Sequence, residues 1–189
     1  MAHIAYIIGS LAPDSINRKL ARVIVDQAPA GTELEEIDIS GLPLYDRHLD
    51  EDFPDVMAQF KQRVADADGL LLVTPEHNQS FPAPVKNALD ILTRGGSSEL
   101  SGLKLGIVGA SPGRFGTING QSQLRQFLPP LGVRIMGSPV LAVTVGENTF
   151  TDDGGADEAT TRRAGDYIAA FSRFVAAPAV LPREVVNTG

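Results

Sequence analysis

Cysteine is absent from the 189-residue chain. Disulfides, thiolate metal sites and dithiol redox chemistry are excluded with it, so any electron transfer must run through a bound cofactor. Basic runs are absent as well. With 16 Lys and Arg against 23 Asp and Glu, the net charge is −7, which disfavours generic binding to nucleic acid or to an anionic membrane surface. No apolar stretch approaches the ~20 residues of a membrane span. Met1-Ala2-His3 leads directly into the first apolar run, so no signal peptide is expected and the expected location is the cytoplasm. Neither Gly-x-Gly-x-x-Gly nor a loop ending in Gly-Lys-Ser/Thr occurs, which removes the dinucleotide fingerprint and the triphosphate loop. The acidic stretch from Phe150 to Glu158 lacks the Asp-x-Asp-x-Asp-Gly spacing of a calcium loop and reads as a turn into the last helix. No metal ligands are expected.

What is present is alternation. Apolar runs at His3 to Ile8, Leu34 to Ile39, Gly69 to Val73, Leu103 to Val108 and Val133 to Val143 are separated by amphipathic patterns. Val56, Phe60 and Val64 form one such face; Val85, Leu89 and Leu92 a second; Leu124, Phe127 and Leu128 a third. Ala164, Tyr167, Ile168, Phe171, Phe174 and Val175 keep helical spacing to the end of the last. The third and fourth apolar runs are nearly continuous, as in strands covered on both faces. These features predict a single α/β domain over residues 1–177. The expected architecture is a flavodoxin-like three-layer sandwich on a five-stranded parallel sheet of order 2-1-3-4-5. Residues 178–189, with Pro178 and Pro182, are expected to form an arm or a disordered tail.

Ligands of such sheets bind beyond the carboxyl ends of the strands. Three loops fall there. Gly9-Ser10-Leu11-Ala12-Pro13-Asp14-Ser15-Ile16-Asn17 joins a buried strand to a helix start, where free backbone N–H groups, the helix dipole and hydroxyls converge. Lacking lysine, it suits a monophosphate better than a triphosphate with its metal. An ordinary helix capped by Ser15 or Asp14 explains the same residues. Thr74-Pro75-Glu76-His77-Asn78-Gln79-Ser80 can lie along the edge of a planar heteroaromatic ligand, or be a turn in which Ser80 caps the next helix. Gly109 to Gly116 has glycines where backbone approaches a ligand, or where a turn needs positive φ. A phospho-receiver domain of the same fold is excluded, because Gly9-Ser10 and Thr74-Pro75 stand where its acidic residues belong.

Taken together the loops resemble those of the NADPH-dependent FMN reductase family of flavodoxin-like proteins, the quinone and chromate reductase type. The resemblance runs from Ile4 to about Val175. The family's Gly-Ser-x-Arg-x-x-Ser-x-Asn loop is matched by Gly9, Ser10, Ser15 and Asn17, and its Leu-Pro-Leu-Tyr segment by Leu42 to Tyr45. Ala67-Asp68-Gly69, Thr74 to Asn78, Lys86-Asn87-Ala88-Leu89-Asp90, Gly109 to Gly113 with Gly116 and Thr117, and Leu124-Arg125-Gln126 match further signatures. The resemblance implies bound FMN and NADPH or NADH as electron donor, with Ser10, Ser15, Ile16 and Asn17 at the phosphate. Pro75, Glu76, His77, Asn78, Gln79, Ser111 and Gly113 would border the isoalloxazine, and no side chain is obligatory for the chemistry. It also implies a small-molecule acceptor (quinone, free flavin, azo compound or metal oxyanion), a ping-pong mechanism and a homodimer or homotetramer. Phe81, Phe115 and Ile118, apolar residues near the rim, fit such an assembly. A flavodoxin-like electron carrier and a non-catalytic flavin-binding module remain as alternatives. Three positions depart from the family. Ala12 stands where an arginine is frequent, removing a charge-assisted contact of ~1.5–3 kcal/mol. His77 replaces a tyrosine beside the flavin, and Ser122 replaces the tyrosine of Gln-Tyr-His-Leu-Arg-Gln.

Overall fold

The computed structural model describes residues 1–178, so the expected tail lies, apart from Pro178, outside the described residues. Its elements alternate as β1 (Ala2–Ile8), α1 (Ile16–Asp26), β2 (Thr32–Glu36), α2 (Asp55–Ala65), β3 (Gly69–Val73), α3 (Ala83–Ile91), β4 (Lys104–Ser111), α4 (Ile118–Phe127), β5 (Arg134–Ile135), β6 (Leu141–Thr144) and α5 (Glu158–Ala176). All strand pairs are parallel, in the order β2-β1-β3-β4-β5, with β6 also on β4. This is the expected flavodoxin-like order, with one refinement. The run Val133 to Val143 is not one strand but two, pairing Leu105 with Ile135 and Val108 with Leu141. Between them lies Gly137-Ser138-Pro139, and a proline has no N–H to give a ladder.

Period-two alternation divides the core between the two faces of the sheet. Ala5, Ile7, Leu70, Leu72, Leu105 and Ile107 pack with residues of α2, α3 and α4. Ile4, Ile8, Leu71, Val73, Val108 and Ala110 pack with α1 and α5. A three-layer sandwich results.

Two local expectations shift. The second strand ends at Glu36; Ile37 still donates its N–H to the Tyr6 carbonyl at 2.8 Å, and Ile39 lies beyond the strand while both remain in the core. On α2 the buried face is Met57, Phe60, Lys61 and Val64, and Val56 is 42% exposed. The four-residue spacing from Val56 selected the wrong neighbour by one position. Lys61 can sit on that face because Nζ donates to the Arg94 and Ser97 carbonyls and lies over the Phe53 ring.

The carboxyl ends of β1, β3 and β4 finish together. Gly9 N–H donates to the Val73 carbonyl at 2.8 Å, and Thr74 N–H to the Val108 carbonyl at 2.9 Å. The three loops that follow are thereby brought to one rim, with the starts of α1 and α4 beside them. Among the described residues no helix is long and apolar enough to cross a membrane.

Candidate functional site

An open pocket of about 470 Å³ lies where the three loops meet. Of the residues expected from sequence, Ser10, Ser15, Ile16, Asn17, Pro75, Glu76, His77 and Ser111 line it. Asn78, Gln79 and Gly113 lie on the same loops but off the lining. Asp14, Ala110 and Pro112 complete the wall; Asp14 entered the sequence reading only as a possible helix cap, and the other two carry no distinctive side chain.

The first wall is a helix start. Ser15 is the N-cap of α1, its Oγ accepting from the Asn17 N–H at 3.1 Å. The cap explanation and a ligand role coexist, because a hydroxyl that accepts still has its proton to donate. The backbone N–H groups of Ser10, Leu11, Ala12 and Ile16 find no acceptor among the described residues. Asn17 is only 2% exposed. Its Nδ2 donates to the Ala110 carbonyl at 3.0 Å and its Oδ1 accepts from the Ala110 N–H at 2.9 Å. Asn17 thus ties the helix start to β4 and keeps one Nδ2 hydrogen free.

The second wall is a bonded turn. His77 N–H donates to the Ser80 carbonyl at 2.9 Å, and Ser80 N–H returns a bond to the His77 carbonyl at 3.0 Å. Between them Asn78 and Gln79 take φ of 51° and 62°, the two left-handed positions of a tight turn. Glu76 Oε2 accepts from the Gly120 N–H at 2.8 Å, which places a carboxylate at the positive end of α4. Ser80 does not cap α3, whose N-cap is Pro82; its hydroxyl donates to Gln123 Oε1 at 2.6 Å.

The third wall closes on Ser111, whose Oγ accepts from the Gly113 N–H at 3.1 Å. Gly109 serves packing rather than a ligand, since a Cβ there would lie 2.1 Å from the Thr74 carbonyl oxygen. At Gly113 the nearest obstacle is Ser111 Oγ at 3.3 Å, so close approach of a ligand remains open there.

Asp14 and Glu76 are the carboxylates of the lining, and no Lys or Arg belongs to it. Arg18 turns instead into a neighbouring hollow of about 370 Å³ that shares Ser10, and pairs there with Glu36 at 2.7 Å. In that hollow Ser40 donates to Asp38 through backbone and hydroxyl, holding the Asp38 carboxyl below its usual range. Tyr6, behind Arg18, is pushed up to about 12 by burial and by Glu36. Among the described residues no group of three or more His, Asp or Glu could hold a metal. The pocket can therefore receive an anion through amides and hydroxyls, with a flat group against the second and third walls.

The profile of the NADPH-dependent FMN reductases matches residues 2–148. The chain belongs to this family. A 2-hydroxy-1,4-benzoquinone reductase of a Burkholderia species is 42% identical over 161 residues, covering 85% of this chain and 88% of the relative. An NAD(P)H-dependent FMN reductase of Pseudomonas aeruginosa is 37% identical over 78% of this chain and 80% of its own length. Among solved structures, the flavoenzyme NAD(P)H:(acceptor) oxidoreductase FerB of Paracoccus denitrificans superposes with a TM-score of 0.86 at 31% identity. That superposition covers 93% of this chain and 98% of FerB. Like its family, the chain is an oxidoreductase.

Proposed function

We propose that residues 1–177 form one FMN-binding unit that oxidises NADPH or NADH and reduces a small acceptor. The observation that carries this is the pocket itself, in which an uncapped amide loop, a helix N-terminus and two polar walls meet on the rim of a flavodoxin-like sheet. The residues fit FMN. A monophosphate matches the free N–H groups of Ser10, Leu11, Ala12 and Ile16 with the Ser10 and Ser15 hydroxyls, and the Asn17 amide supports them from behind. Pro75, Glu76, His77, Asn78, Gln79, Ser111 and Gly113 take the isoalloxazine.

Bound FMN supplies the hydride chemistry between nicotinamide and a quinone, free flavin, azo compound or metal oxyanion. The chain binds and orients. Glu76 spends its carboxylate on α4 and so fixes the second wall rather than moving a proton, and Ser111 is held by Gly113. With the second and third walls against one side of the ring, donor and acceptor would each have to stack on the other, within about 3–3.5 Å of the reactive atoms. They take turns, and the mechanism is ping-pong, with parallel double-reciprocal lines. No side chain is required as acid or base. NADPH consumption with menadione, measured with and without added FMN, tests the assignment. Turnover that rises with FMN supports it. Flavin binding without turnover indicates a binding module, and turnover only with a protein acceptor indicates an electron carrier. The cytoplasm supplies the NAD(P)H.

We further propose a homodimer or homotetramer. Phe115 is 60% and Ile118 37% exposed at the rim, whereas Phe81 stacks on Phe127 and packs, partly buried, against the core. A species of about 20 kDa across a wide concentration range in light scattering contradicts this.

A further inference from the structure

The turn that presents His77 is held in a conformation its own residues resist. Asn78 and Gln79 are the non-glycine residues at positive φ among the described residues, and they occupy consecutive positions. Asn-Gly is the usual solution for two such positions. Asn78 suits the first; Gln79 carries a full side chain where glycine is favoured.

Helix α4 supplies what the turn lacks. Gln123 Nε2 donates to the Gln79 carbonyl at 2.9 Å, and Gln123 Oε1 accepts from the Ser80 hydroxyl at 2.6 Å. Both bonds grip the exit of the turn. Its entry is gripped by Glu76 on the Gly120 N–H. Gly120 itself lies so close that a Cβ would sit 3.1 Å from the Phe81 nitrogen and 3.2 Å from the Ser80 carbonyl carbon. The strained peptide is therefore clamped to a helix at both ends, and one residue, Gln123, holds the strained half.

We infer that Gln123 is a positioning residue for the reaction, fixing the His77–Gln79 backbone against the edge of the cofactor ring. The inference rests on FMN occupying the pocket. Gln123 lies outside the pocket lining and acts through the turn. The Asn78 and Gln79 N–H groups find no acceptor among the described residues; a flavin ring gains electron density on reduction, so N–H donors held toward it stabilise the reduced form more than the oxidised form. Loosening the turn weakens that preference selectively, which a purely structural bond would not do.

The test compares FMN affinity in air with affinity under anaerobic dithionite, and records melting temperature alongside. The proteins are wild type, Gln123→Ala, Gln123→Glu and the double variant Gln123→Ala/Gln79→Gly. Gln123→Glu keeps the acceptor for Ser80 and loses the donor to Gln79 but adds a negative charge, so the neutral Gln123→Ala and its rescue by glycine separate loss of the bond from charge. Both single variants are expected to weaken reduced FMN about tenfold more than oxidised FMN, which lowers the two-electron potential by about 30 mV. Adding Gln79→Gly should restore the ratio, because glycine holds positive φ without a tether. Equal weakening in both redox states, no weakening, or no recovery with glycine overturns the inference. Wild-type protein that binds no FMN overturns the cofactor assignment and the inference together; wild type that binds while the variants match it overturns the inference alone.

Discussion

The first and second walls of the pocket, which follow the neighbouring strands β1 and β3, are built on opposite plans. Between Ser10 and Ile16 the chain leaves backbone N–H groups without acceptors among the described residues, and Asn17 ties the helix start to β4 by side-chain bonds at Ala110. Between Glu76 and Ser80 the chain is bonded at both ends of a strained turn and clamped to α4. Open donors make a receptor for an anion; a bonded, strained turn makes a fixed template. In the proposed function, the first wall would set whether the cofactor is held and the second how it behaves once held.

The comparison breaks most severely at Asn17. Asn17→Asp keeps the acceptor for the Ala110 N–H but turns a buried carboxylate oxygen toward the Ala110 carbonyl. A loss of about 3 kcal/mol or more is expected, read as a lower urea midpoint in the absence of FMN. Unchanged stability would mean that the first wall does not depend on its tether. A gain is expected from Ala12→Arg, which gives the receptor wall the cation it lacks. FMN binding should tighten by about 1.5–3 kcal/mol and become more sensitive to salt, as seen by titration at two ionic strengths. Unaltered affinity would show that another group already balances the phosphate. Smaller still is Glu76→Gln, which retains an acceptor for Gly120 but removes the charge at the α4 N-terminus. It should cost about 1 kcal/mol of stability and leave oxidised FMN affinity nearly unchanged; a loss confined to affinity would make Glu76 a direct ligand.

The smallest effect lies away from both walls. Arg63 and His3 bond to Glu35 on β2 and hold its carboxyl below the ordinary value of 4.5. A depressed folded-state value means the contribution is complete above about 4.5 and is lost as pH falls below it. Glu35 is partly exposed, so solvent screening keeps the loss slight. It should be equal with and without FMN, which acid-unfolding curves of the two forms would check.

Local chemistry was legible in the sequence wherever a pattern is local. The continuous apolar run Gly69–Val73 is β3 as read, and the helical spacing from Ala164 to Val175 is the core face of α5, with Phe174 at its margin. The three loops were identified by turn-rich composition after strands, and the sheet order brought them together. What stayed hidden is non-local. That Asn17 also ties α1 to β4 was invisible, because its partner Ala110 lies 93 residues away. Nothing in the sequence singled out Gln123, because the turn it grips is 43 and 44 residues distant. The burial of Lys61 was equally hidden, since nothing in its own helix announces the carbonyls that receive it.

The phosphate has two places to go: the amide and hydroxyl seat at Ser10, Ser15 and Ile16, or the adjoining hollow where Arg18 offers a guanidinium. A crystal structure of the FMN complex decides between them. The account predicts phosphate oxygens within hydrogen-bond reach of the Ser10 hydroxyl and the Ile16 N–H, with the Arg18–Glu36 pair intact. A phosphate seated on Arg18, with Glu36 displaced and the first wall's N–H groups left to solvent, would contradict it.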